Sequence, residues 1–403
     1  MADGPIPRRL WWAALGMFCL AALTGAAYRW SMWLGPLPRF SLVNLRHAHS
    51  HLMYMGWATP AAAILISSLL SHQRKDEHTA WHWAVALMIF SAAAAYPVFL
   101  RFGYQPVPIG EAHLPLAALI GGVNIIAWYA WMIQLRSIQR QANFTMATQL
   151  WTLAGFFLLL SSFGAWFRGM LPRLGLTDPL WGAISLHWFL DMLAEGWLLL
   201  AVLGLMYQRL EVEDGPGWAN YLLFSGLPLA FLLGIPAGQL PLVELRWLAR
   251  AAGALVALGT AAHIIFLWQA APVVWRIPMG VLMVKAALQL ADALIGSSSI
   301  LAAAGLRLLH LHLLLVGGFS LGAWLVSRDL WGPRSAVLPK AITASVLLLL
   351  TSLVPLTELW PAAWSGRWTL ALASVAATLP PTVVLAGFVK SGFGLRERAN
   401  SAS

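Results

Sequence analysis

The chain has 403 residues, of which 60% are hydrophobic and only 10% charged, with a formal net charge of +10. That balance is far from the soluble average, and apolar stretches of about 18 residues or more recur along the whole length, which excludes a water-soluble fold. The positive charge has no basic cluster with interleaved aromatics, so it is read as membrane topology and lipid contact, with no nucleic acid as partner.

At about 20 apolar residues per crossing, twelve spans are expected in an all-α polytopic membrane protein. In chain order they are Leu10–Trp33, His49–Leu70, Trp81–Arg101, Leu114–Leu135, Ala147–Met170, Leu180–Tyr207, Trp218–Ile235, Trp247–Ala271, Pro278–Ile295, Leu301–Val326, Ala341–Leu356 and Trp368–Phe388. The connections are short and polar, as in SHQRKDEH, QLRSIQRQ, RLEVEDGPG and SRDLWGPR. No soluble domain, low-complexity segment or obvious repeat is expected between them, so residues 1–403 are read as one transmembrane domain.

Alternate connections carry most of the Lys and Arg: Arg8 and Arg9, then Arg74, Lys75, Arg136, Arg140, Arg209, Arg276, Arg328, Arg334, Lys340, Lys390, Arg396 and Arg398. The positive-inside rule places both termini in the cytoplasm, and the setting expected is a bacterial-type inner membrane. Arg8 and Arg9 precede an apolar run too long for a signal peptide, so the first helix is expected to remain uncleaved. Tryptophans near span ends (Trp11, Trp33, Trp81, Trp181, Trp218, Trp247, Trp331, Trp360) suit an interfacial belt. Cys19 is the single cysteine, which leaves no disulfide, thiolate cluster or C-x-x-C-H haem attachment.

Ionisable groups inside spans are costly and mark function. Measured from the outer face at 1.5 Å per residue, His49 and His51 lie roughly 5–10 Å deep, His187 roughly 10 Å, and His310 and His312 roughly 15 Å. Three helices therefore offer imidazoles in the outer half of the membrane. Positions i and i+2 of a helix point about 200° apart, so His310 and His312 would serve two planar centres on opposite sides. A lone membrane histidine is often only an interhelical hydrogen-bond donor, and His47 fits a solvated rim. A second H-x-H buried in an apolar run points instead to haem or metal ligation. Lys285, Gln289 and Asp292 share one face of the ninth span, read either as a structural Lys–Asp pair or as a proton path with His263. Glu111 and His113, in the outer loop YQPVPIGEAHLP, receive no role.

LRHAHSHLMYMGW resembles the second helix of the catalytic subunit of haem-copper oxidases, with Leu45, Arg46 and His49 in the L-R-x-x-H register. LLHLHLLLVGGF resembles that family's tenth helix, and HWFLDMLAEGW the sixth helix of its nitric oxide reductase branch. The resemblance implies two b-type haems. One is low-spin, held by His49 and His312; the other is high-spin, on His310, with its open face towards His187. It further implies that Arg46, with Arg168 and Arg173, anchors propionates, and that His187, Asp191 and Glu195 hold a second metal. The family's adjacent seventh-helix histidines are missing from YLLFSGLPLAFLLGIPAG. The remaining oxygen-rich set suits non-haem iron near His187 better than copper, the alternative being that it holds no metal. HSHLMYMG also resembles the H-x-H…G of the NnrS family of nitric-oxide-stress haem proteins.

The function this implies is reduction or binding of nitric oxide or another diatomic gas at the high-spin haem. Electrons would come from a quinol or cytochrome donor, with Asp191 and Glu195 as catalytic acids and Glu195 the proton donor. A small partner subunit or a homo-oligomer is compatible with the resemblance. Two other classes remain: a non-catalytic haem-binding gas sensor or stress protein, and a proton-coupled transporter with structural histidines.

Overall fold

The computed structural model describes residues 5–73, 80–140, 143–240, 242–295, 300–332 and 339–401. Among them are twelve helices long and apolar enough to cross a membrane, so the chain is an all-α polytopic membrane protein. They are α1 (Ile6–Leu34), α2 (Leu42–Ser71), α3 (Ala80–Phe102), α4 (Leu116–Gln139), α5 (Met146–Met170) and α6 (Pro179–Arg209), followed by α7 (Gly217–Gly234), α8 (Val243–Trp268), α9 (Val273–Leu294), α10 (Ala304–Trp331), α11 (Pro339–Leu356) and α12 (Arg367–Val389). Of the residues read for orientation, Arg74, Lys75 and Arg334 lie outside the described ones.

Two boundaries differ from expectation in ways that matter. α2 begins at Leu42 rather than His49, because the Ser41 hydroxyl accepts a hydrogen bond from the Asn44 amide at 3.0 Å and caps the helix there. His47, His49 and His51 therefore sit within α2, not at its mouth. α9 begins at Val273 and carries Pro278 inside it, a tolerance common in membrane helices. The outer loop around Glu111 forms a small hairpin, β1 (Val107–Ile109) against β2 (Ala112–Leu114), turning through Gly110 at φ 61°.

Burial separates the helices into two kinds. In α2, α6 and α10 the most apolar window is 100%, 89% and 83% buried, against 33–50% in the other nine, whose remaining faces suit lipid. The same three helices each contain a π-helical stretch, over Leu52–Ala58, Met192–Leu199 and Leu313–Ser320. Each stretch starts directly after a polar residue, His51, Asp191 or His312, and a glycine follows that residue by five positions: Gly56, Gly196 and Gly317. Such widened turns gather at functional sites. In α2 and α10 the likeness extends to a full L-R-x-x-H-x-H-x₄-G pattern, Leu45-Arg46…His49…His51…Gly56 and Leu306-Arg307…His310…His312…Gly317. The residues between the fixed positions differ in the two helices.

Glycine explains how neighbours approach these stretches. A Cβ on Gly196 would lie 2.6 Å from the Phe157 Cβ of α5, and one on Gly56 3.2 Å from the Met17 Cβ of α1. Gly318 is pressed in the same way by Leu282 of α9.

The chain divides into two compact units. The first comprises α1–α4, α11, α12 and the last turns of α10 from Ala323. In it α1 and α3 flank α2, and a buried aromatic cluster joins Trp11, Phe18, Trp57 and Trp324, with centroids 5.2–6.2 Å apart. The second comprises α5–α9, α10 as far as Gly322, and the short segment Leu356–Pro361.

Candidate functional site

In the second unit two helix starts set the register of the site. α6 is capped by Asp178, whose carboxylate accepts from the Leu180 amide at 2.8 Å, with Pro179 preformed in the first turn. α10 is capped by Glu358, which accepts from the amides of Gly305 at 3.1 Å and Leu306 at 2.9 Å. The negative carboxylate suits the positive end of the α10 dipole.

From those starts α6 presents His187, Asp191 and Glu195 at four-residue intervals, and α10 presents Arg307 and His310 three residues apart. Glu195 is 7% exposed and accepts three hydrogen bonds. Lys285 Nζ donates to Oε2 at 2.8 Å, Gln289 Nε2 to the same oxygen at 2.9 Å, and His310 Nε2 to Oε1 at 2.8 Å. Lys285 also donates to Gln289 Oε1 at 2.6 Å, closing the group. Three donors, one of them an ammonium, thus converge on a single carboxylate.

One turn away Arg307 Nη2 donates to Asp191 Oδ1 at 2.6 Å. His187 Nδ1 lies 3.5 Å from Asp191 Oδ2, and among the described residues neither of these two buried atoms has a hydrogen-bond partner. Gly234 closes that end: a Cβ there would run into His187 and Arg307. The two groups balance in charge, Lys285 and Arg307 against Glu195 and Asp191.

Asp292, the third member of the α9 stripe, is buried and accepts from the Leu301 amide at 3.3 Å. His263 joins a different chain. Its Nδ1 meets Tyr207 Oη at 2.9 Å and its Nε2 meets Asn220 Oδ1 at 3.0 Å. Because an amide oxygen only accepts, Nε2 carries the proton and Tyr207 donates to Nδ1.

The α2 histidines belong to the first unit. His49 Nδ1 donates to the Ala21 carbonyl of α1 at 2.7 Å, and Gly25 lies flat against its ring. His51 is buried against Phe99, centroids 4.5 Å apart, and its Nε2 has no hydrogen-bond partner among the described residues. His47 packs on Tyr104. Arg46 is exposed, as is Arg173, while Arg168 donates to the Gly182 carbonyl. In α10, His312 Nδ1 donates to the Leu308 carbonyl at 2.8 Å.

These bonds fix which ring nitrogen holds the lone pair. In His49 and His312 a carbonyl oxygen accepts from Nδ1, so the neutral ring has its lone pair on Nε2. A ligating histidine is held in this way, with its second nitrogen donating to a backbone carbonyl or carboxylate. Both residues therefore fit haem iron. His310 is the opposite tautomer, with Nε2–H committed to Glu195. It does not fit a haem on that nitrogen.

The non-haem iron expected near His187 finds a poor donor set. Among the described residues no group of three or more His, Cys, Asp and Glu is arranged to hold a metal ion. Asp191 and Glu195 are each engaged by a cation, so the residues present do not fit that centre.

Arg307, Tyr207, Asn220 and Glu358 were not singled out from sequence. Arg307 had a usable signal, since it occupies in α10 the place that Arg46 occupies in α2. No protein-family model matches the chain, and no curated protein matches it.

Proposed function

We propose that the chain is a haem-binding protein of the inner membrane, with both termini cytoplasmic, and that His49 and His312 are its iron ligands. The observation that supports this reading most is the shared tautomer of these two residues, each with its lone pair on Nε2. The resemblance assigns both to one low-spin b-type haem. A bound haem supplies one-electron exchange with a quinol or cytochrome donor and an iron able to bind nitric oxide or another diatomic gas. The chain's own part is to orient the imidazoles: Ala21 and Gly25 for His49, Leu308 for His312.

Catalytic reduction of nitric oxide is the form that the resemblance implies, with Glu195 as proton donor. A second reading, a non-catalytic gas sensor or nitric-oxide-stress protein, is favoured by one observation. Glu195 is saturated by three donors and His310 is committed to it, so the pair is built as a brace rather than as an open reaction site. The third class, a proton-coupled transporter, draws on the buried Lys285–Glu195 pair but gives no reason for the tautomers of His49 and His312.

The test is the optical spectrum of the purified protein with its pyridine haemochrome. A red protein whose colour depends on His49 and His312 supports the proposal. A colourless one refutes it and leaves the transporter. In a red protein, gas-consumption assays separate the first two readings.

A further inference from the structure

The face of α10 that carries His310 is the place to ask how many haems this chain takes. Nε2, the nitrogen by which an imidazole normally meets haem iron, lies 2.8 Å from Glu195 Oε1. An iron on Nε2 would sit about 2 Å from the nitrogen, in the space that the carboxylate oxygen occupies. The macrocycle around it would need several ångströms more between α6 and α10. Those two helices instead pack directly, π-helical stretch against π-helical stretch.

The alternative donor, Nδ1 of His310, is buried and has no hydrogen-bond partner among the described residues. It lies beside the ring's own Cβ, so a flat macrocycle there would strike the α10 backbone. Glu195 is also ill-suited to moving aside. Withdrawing it would leave Lys285, which is fully buried, without its counter-ion, and a buried charge stripped of its partner is strongly unfavourable. The next turn of the same interface is closed as well, by Arg307 on Asp191.

We infer that His310 is a hydrogen-bond donor to Glu195 and ligates no haem iron, so that the chain has no separate reaction haem on this face of α10. The inference rests on the haem reading above and deepens it. A diatomic gas then reaches iron only by displacing an imidazole. The α6–α9–α10 brace of Glu195, Lys285, Gln289 and His310 is a positioning device for the helix that carries His312.

The experiment compares the wild-type chain with His310→Gln, whose amide can still donate to Glu195, and with His310→Leu, which cannot. Haem per chain is measured by pyridine haemochrome, and the reduced proteins are exposed to carbon monoxide. The expected result is equal haem content and equal spectra in wild type and His310→Gln, with no carbon monoxide shift in either. His310→Leu should melt at a lower temperature while keeping its haem ratio. Loss of about half the haem in both variants, or a stoichiometric carbon monoxide complex of the wild type, would overturn the inference while leaving the haem reading intact. A colourless wild type would refute the haem reading and this inference with it.

Discussion

Arg307 and Asp191 meet at 2.6 Å between α10 and α6, one helical turn from the contact of His310 with Glu195. The two contacts place cation against anion, and imidazole against carboxylate, in what the sequence offers as a candidate metal centre. Their arrangement within the second unit makes several results predictable.

Removing one partner of the buried Lys285–Glu195 pair should be costly. Glu195→Ala leaves an ammonium with no counter-charge, and the expected loss is about 3–5 kcal/mol of stability. The double variant Glu195→Leu with Lys285→Met should recover most of it, because apolar residues of similar volume replace a buried pair at little cost. Detergent-solubilised unfolding of Glu195→Leu, Lys285→Met and the double variant checks this. Additive losses would show that the pair is not coupled.

Gly234 and Gly155 offer a matched test of close packing. Alanine at Gly234 would press a methyl group into His187 and Arg307, and about 1–3 kcal/mol should be lost as Arg307 is pushed from Asp191. Alanine at Gly155 of α5 meets nothing within 4 Å and should be neutral or stabilising by about 0.5–1 kcal/mol. Melting temperatures of the two variants decide. Equal effects would count against the packing described at Gly234.

Much of this was legible in the sequence and some was not. The twelve helices follow from apolar run length alone, and their expected limits fall within a few residues of those found. Where they missed, a local cap decided: Ser41 starts α2 seven residues before the apolar run suggests. The stripe of Lys285 and Gln289 was visible at helical spacing, but its partner was not. Only the packing of α10 on both α6 and α9 brings Glu195 to it. Tautomers were beyond reach, because they depend on carbonyls such as Ala21, 28 residues away. The repeat of α2 in α10 was present in the letters, hidden by Leu308 and Leu309 standing where His47 and Ala48 stand.

Tyr207→Phe should leave His263 Nδ1 as a buried acceptor without its donor. The expected loss is about 1–3 kcal/mol, seen as a lower midpoint of unfolding in detergent. Haem content should not change, since this chain of bonds involves neither His49 nor His312. A paler protein would tie Tyr207 to the cofactor and revise that separation.

Gly25→Ala tests how His49 is held. A methyl group at that position would lie 2.7 Å from the ring's Cε1 and displace it from the Ala21 carbonyl. The expected outcome is a weakened low-spin signal in a chain that still folds, read by optical and paramagnetic resonance spectra. A spectrum identical to wild type would mean that His49 is not a ligand.

The most direct measurement is the low-temperature paramagnetic resonance spectrum of the oxidised protein, taken with haem content, for wild type, His49→Ala and His312→Ala. The wild type is expected to give a bis-imidazole low-spin signal. In each single variant that signal should give way to a high-spin one whose reduced form binds carbon monoxide. A wild type without haem, or a low-spin signal that survives in both variants, would contradict His49 and His312 as the iron ligands.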